Sequence, residues 1–125
     1  MQDEAEKRRH ARFTIDEGIF AAFKALESPH YSIVGGVVDV SKQGIAVQYC
    51  VLLDEEPECG ELKIFGKCTI DSLPCKVVYR LDIESRTMPG LLRIQRCGME
   101  LGEMTQAQKA QMYSLVQNHS VCAQR

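Results

Sequence analysis

Along most of this chain apolar and polar positions alternate with a period of two. That spacing puts successive side chains on opposite faces of a strand. Tyr31–Val40 is rich in β-branched residues, with Val34, Val38 and Val40 on one face and Val37 and Asp39 on the other. Gly35 and Gly36 inside it predict a bulge or a close approach of another backbone. Ser41–Gly44 follows as a turn in which Gly44 is free to take a positive φ. Ile45, Val47 and Tyr49 then alternate with Ala46 and Gln48. The two runs read as an antiparallel hairpin with a four-residue connection. Leu62–Phe65 is a short strand candidate. Pro74–Ile83 alternates most cleanly, Val77, Tyr79, Leu81 and Ile83 against Lys76, Arg80 and Asp82. Leu91–Leu101 is the last long strand. Leu92 and Ile94 share one parity, whereas Cys97, Met99 and Leu101 share the other, a slip that predicts a bulge near Gln95 and Arg96. Loops are expected over Asp54–Glu61, which is acidic and holds Pro57 and Gly60, and over Ser85–Gly90.

Two segments depart from the simple alternation. Glu17–Glu27 satisfies both periods. Ile19, Phe23 and Leu26 are spaced for a helix face, while Ile19, Ala21, Phe23 and Ala25 would line one face of a strand. The alanines tip its propensity toward helix. Ser28-Pro29-His30 breaks it. Near the end, Thr105-Gln106-Ala107-Gln108 matches a helix capping box with Met104 at the staple position. Met112, Leu115 and Val116 form the apolar stripe of that helix, which is too short to be stable alone and must dock on the sheet. Five or six strands followed by one helix predict a small antiparallel barrel, since closure removes exposed edges.

Length and composition narrow the picture. The chain has 125 residues, 45% hydrophobic and 26% charged, enough for one domain with a real core. No apolar run approaches the ~20 residues of a membrane helix. Met1–Arg12 is charged and lacks an apolar h-region, so a cytoplasmic location is expected. Net charge is -2, which disfavours bulk attachment to long nucleic acid. A basic cluster of Lys7, Arg8, Arg9 and Arg12 points instead to a small anionic ligand.

Cys50, Cys59, Cys68, Cys75, Cys97 and Cys122 contain no C-x-x-C pair, so reduced thiols and no bound metal are expected. His10, His30 and His119 lack ligand spacing and read as surface residues. No nucleophile elbow, P-loop, zinc-protease or dinucleotide motif occurs, so no catalysis and no cofactor are expected.

Two short motifs remain. Arg8-Arg9-His10-Ala11-Arg12 is an R-x-x-x-R in a polar arm expected to be flexible over residues 1–12. Asp39-Val40-Ser41-Lys42-Gln43-Gly44 is a D-x-S-x-x-G at a strand end. Each alone is common: a solvated charge run, and a turn closed by Asp or Ser. In this order, about 27 residues apart, they resemble the two motifs of the PilZ domain, a bacterial receptor for cyclic di-GMP. Arg96-Cys97-Gly98-Met99-Glu100-Leu101 is similar to a late strand of that family ending in G-x-x-F, with Leu101 in place of Phe. The resemblance covers about residues 6 to 118.

The resemblance implies a mainly β fold, a six-stranded antiparallel barrel with a C-terminal helix. It makes Ile19–Leu26 the first strand, against its helix propensity. The arm would cover 1–12, barrel and helix 13–118, and a tail 119–125. The implied ligand carries two phosphates and two guanines. Arginine suits both, since its planar fork bonds phosphate and guanine O6 and N7 and its face stacks on the base. Arg8 and Arg12 would close on it from one side, with Arg9 an auxiliary phosphate contact. Asp39 would accept from guanine N1 and N2, Ser41 would offer a hydroxyl, and Gly44 would keep the turn compact. The implied function is a non-enzymatic receptor whose arm orders on the ligand and is read by an effector protein. The alternatives are an interaction module with the same barrel that does not use the nucleotide, and a small barrel for single-stranded nucleic acid. The latter lacks an evident aromatic platform.

Overall fold

A computed structural model describes residues 11–52, 56–83 and 92–121. The alternating runs become strands where neighbouring segments offer them edges to pair with. They are β1 (Phe13–Thr14), β2 (Ile19–Lys24), β3 (Ile33–Val40), β4 (Gly44–Leu52), β5 (Glu61–Gly66), β6 (Ile70–Ile83) and β7 (Leu92–Leu101), followed by helix α1 (Gln106–His119). The order β1-β3-β2-β5-β6-β7-β4 closes on itself because β4 also pairs with β3. Every pairing is antiparallel. Six strands, β2 to β7, thus form a closed barrel, and the two-residue β1 lies along β3 beyond the end of β2. The expected fold class is the observed one.

The helix propensity of Glu17–Glu27 yields to the ladder. β2 pairs with β3 from Phe20 to Phe23 and with β5 from Ile19 to Lys24. Ile19, Ala21 and Phe23 enter the core, the strand parity rather than the helical one. Two satisfied edges outweigh the few tenths of a kcal/mol per residue that separate helix propensities. The strand stops at Lys24. Leu26 is exposed beyond it, where Ser28 N–H donates to Ala25 O at 3.1 Å.

β3 carries the second correction. Val37 opposes Val47 and Asp39 opposes Ala46, so Val38 is an extra residue, a bulge. The bulge flips the parity after Val37. Val37 and Val40 are both buried, not on opposite faces as simple alternation predicts. Gly35 marks a close approach, since a Cβ there would lie 2.5 Å from Gln48 O, whereas Gly36 faces open space.

The third correction concerns β6 and β7. The β4–β7 register runs unbroken from Gly44↔Glu100 to Leu52↔Leu92, so β7 has no bulge near Gln95 and Arg96. The break in apolar parity arises because a polar residue, Gln95, points into the core with Cys97, Met99 and Leu101. Tyr49 O–H donates to Gln95 Oε1 at 2.6 Å, and Gln95 Nε2 donates to Asp82 Oδ1 at 3.0 Å. Those bonds replace the water Gln95 gives up. The bulge lies in β6, at Val78, between the pairs Val77↔Met99 and Tyr79↔Gly98. It turns Tyr79 and Leu81 outward, both exposed, so they do not share the face of Val77 as the alternation predicts.

The hairpin between β3 and β4 forms with Ser41–Gln43 between the strands, and Ser41 N–H donates to Gly44 O at 2.9 Å. The loop expected over Asp54–Glu61 is a loop over its described part, Glu56–Gly60; Asp54 and Glu55 lie outside the described residues, as does Ser85–Gly90. The capping box forms as expected: Gln108 N–H donates to Thr105 Oγ1 and Thr105 N–H to Gln108 Oε1, each at 3.0 Å. Gln108 Nε2 also reaches Asp71 O at 2.8 Å, tying the cap to β6. Met112 and Leu115 are buried against the barrel. The far end of α1 holds β1 in place through Asp16 N–H to His119 O and Val121 N–H to Thr14 O, both 2.7 Å.

Candidate functional site

Asp39 owes its outward position to the bulge. Without the extra Val38 its side chain would follow Val37 into the core. With it, Val40 takes the inner position and the Asp39 carboxylate stands on the outer face, one-fifth exposed. Arg12 owes its position to β1. Phe13 opposes Val40 and Thr14 opposes Asp39, so the chain passes the hairpin just as it leaves the sheet. Arg12 Nη1 donates to Asp39 Oδ1 at 3.1 Å. The last arginine of the first motif and the first residue of the second, far apart in sequence, are in contact.

Ser41 opens the turn two residues beyond Asp39. Gly44 closes it, but not with a left-handed backbone: among the described residues the glycines at positive φ are Gly18 and Gly66. The expectation for Gly44 is therefore corrected. It is small because a Cβ there would meet Met99 O at 3.2 Å and Ser41 Oγ at 3.3 Å. Arg8 and Arg9 lie outside the described residues.

A cavity of about 780 Å³ opens between the hairpin turn and α1, and neither Arg12 nor Asp39 lines it. Ser41, Lys42, Gln43, Met104 and Met112 line it, as do Ala11 and Phe13 on either side of Arg12. Motif residues thus rim a groove large enough for a small ligand.

The register exposes a row that sequence reasoning did not assemble. Asp39 opposes Ala46, Ala46 opposes Gly98, and Gly98 opposes Tyr79. Two small residues form a floor between a carboxylate and an aromatic ring. Tyr79 lies directly on Gly98, where a Cβ would come within 2.0 Å of the ring. In the next row, Arg96 Nη2 donates to Gln48 Oε1 at 3.2 Å. Gly98 between Cys97 and Met99 was the available signal; its partners depend on a register no single strand encodes.

Farther along the same strands lies a second polar group, Tyr49, Gln95, Asp82 and Arg93, with Arg93 Nη1 at 3.1 Å from Asp82 Oδ1. Burial pushes the Tyr49 hydroxyl well above its ordinary pKa. Among the described residues no set of three or more His, Cys, Asp or Glu side chains is arranged to hold a metal ion. None of the described helices is long and apolar enough to cross a membrane.

No family model matches the sequence, and no curated protein matches it. The structure does match a solved one. The PilZ domain with c-di-GMP of YcgR from Escherichia coli superimposes with a TM-score of 0.66 over 88% of each chain, at 11% sequence identity. The closed barrel with its C-terminal helix is the PilZ fold.

Proposed function

We propose that this protein is a receptor for cyclic di-GMP, bound at the face that carries Arg12, Asp39 and Ser41. The observation that carries the reading is the Arg12–Asp39 contact, which joins the two sequence motifs on a PilZ barrel. Without ligand each charge satisfies the other. On binding, a guanine presents N1 and N2 donors to Asp39, and its O6 and N7, or a phosphate, to Arg12. The ion pair is exchanged for two charge-assisted contacts with the ligand, so neither charge is left bare. Ser41 offers its hydroxyl, and Gly44 lets the ligand approach the turn. Arg8 and Arg9 add phosphate contacts as residues 1–12 are drawn onto this face. The altered surface is read by an effector protein in the cytoplasm, with no chemical step on the nucleotide.

Calorimetric titration with cyclic di-GMP, with GTP as control, tests the reading. Saturable binding of the cyclic dinucleotide and no heat from GTP are expected. No heat from either, with no ligand-induced rise in melting temperature, would leave a barrel that works without the nucleotide.

A further inference from the structure

Cys59 and Cys75 face each other with their Sγ atoms 3.5 Å apart. Cys59 ends the loop that leads into β5, and Cys75 lies in β6. The backbones beside them are already joined, Cys75 N–H donating to Gly60 O at 3.2 Å. Cys59 Sγ also lies 3.3 Å from Glu61 O, which orients it toward the strand pair. The two thiols differ in access. A surface cavity of about 270 Å³ is lined by Ala25, Leu26, Glu27, Glu58, Cys59 and Gly60, and not by Cys75. The cavity gives a small oxidant a path to Cys59, which is otherwise buried, whereas Cys75 is partly exposed.

We propose that Cys59 and Cys75 are an oxidant-responsive dithiol that closes to a disulfide on reaction with a hydroperoxide. The Cys59 thiolate attacks the O–O bond and becomes a sulfenic acid, the leaving hydroxide taking up the thiol proton as water. The Cys75 sulfur then attacks the Cys59 sulfur. An S–S bond forms, the S–O bond breaks, and a second water leaves. In total two thiols and one hydrogen peroxide give one disulfide and two waters, the sulfurs losing two electrons and the peroxide gaining them.

Three features fit these roles. The hydrogen bond from Cys75 holds the Cys59 thiol below its ordinary pKa, against the pull of burial. The same bond, together with burial, pushes Cys75 up, and the cavity opens on Cys59 rather than Cys75, so Cys59 attacks and Cys75 resolves. Closure from 3.5 Å to a covalent length of about 2.05 Å asks for movement mainly of a loop residue, Cys59. Finally, Glu27 and Glu58 at the cavity repel anionic thiols and disulfides such as glutathione but not a neutral hydroperoxide.

The test uses the full chain, reduced, freed of reductant and treated with hydrogen peroxide. Remaining thiols are alkylated with N-ethylmaleimide and the protein is cleaved at acidic residues, which separates Cys50, Cys59, Cys68 and Cys75 into different peptides. A Cys59–Cys75 linked peptide is expected, with a mass loss of about 2 Da from two hydrogens, reversed by dithiothreitol. Cys59→Ser should leave Cys75 fully alkylated. Cys75→Ser should leave Cys59 as a sulfenic acid trapped by dimedone. The proposal falls if wild type shows no Cys59–Cys75 linkage. It falls also if Cys75 is lost equally fast in Cys59→Ser, or if oxidation is confined to the exposed Cys50.

Discussion

Arg12 and Asp39 meet at 3.1 Å, yet the arginine side chain remains 63% exposed. An ion pair so open to water adds little to stability, at most about 1 kcal/mol. Its value is local: it holds a forked donor and a carboxylate side by side. Arg12→Ala and Asp39→Ala should therefore each weaken cyclic di-GMP binding by about 1.5–3 kcal/mol, the worth of a hydrogen bond to a charged group. That is roughly ten- to over a hundredfold in affinity, with melting temperature nearly unchanged. Arg12→Lys should not restore binding, because a lysine lacks the planar fork. Calorimetry on the three variants checks this, and wild-type affinity in Arg12→Lys would rule out the bidentate role. Both residues were legible because their motifs are local strings. The reason for Gly44 was not. The turn pattern points to backbone freedom, whereas Gly44 is small because Met99 O, on a strand far along the chain, lies in the way.

β3 shows what happens between residue and fold. Its two adjacent glycines look alike in sequence and do opposite things. At Gly35 a methyl group would press against Gln48 O at 2.5 Å and against the side chains of Val47 and Tyr49 at 2.9 Å. Gly36 faces open space. Gly35→Ala should cost about 1–3 kcal/mol, the range for overpacking a filled core. Gly36→Ala should be neutral, or stabilising by up to about 1 kcal/mol through reduced freedom of the unfolded chain. Urea unfolding of the two variants separates them, and equal midpoints would contradict the packing described. The bulges at Val38 and Val78 were equally hidden. A bulge changes which face each later residue occupies, and only the partner strand shows where the extra residue falls. Gln95 is the complementary case. It breaks the apolar alternation without breaking the strand, because Tyr49 and Asp82 satisfy its amide. The capping box of α1, by contrast, is a local hydrogen-bond pattern and forms as its sequence implies.

At the scale of the whole molecule, the core holds several groups that resist ionisation. Burial raises the pKa of Tyr49, Cys97 and Cys68, and the bond to Cys59 with burial raises that of Cys75. Cys59 alone among these thiols is shifted down. In the unfolded chain thiols ionise near about 8.5 and tyrosine near about 10. Above those values the unfolded state sheds protons that the folded state retains, so folding weakens as pH rises. Under reducing conditions the urea midpoint should fall from pH 7 to pH 9 and more steeply past pH 10, where Tyr49 joins. A flat midpoint across that range would mean that these groups are hydrated in the folded protein.

The period-two pattern by itself determined a mainly β chain, most of its strands and the hairpin, and the capping box marked the closing helix, because alternation and caps are written in neighbouring residues. The resemblance of the two motifs to those of PilZ domains pointed to Arg8, Arg9, Arg12, Asp39, Ser41 and Gly44 as ligand contacts. Tertiary structure decided the rest. Glu17–Glu27 became a strand because β3 and β5 offered it two edges. Asp39 faced outward because a bulge was accommodated against β4. Arg12 reached it because β1, held by the end of α1, lies along the remaining edge of β3. Cys59 met Cys75 because the entry to β5 runs beside β6. In each case the deciding energy lies in contacts between residues distant in sequence. A one-dimensional pattern carries the local preference but not the partner that overrides it.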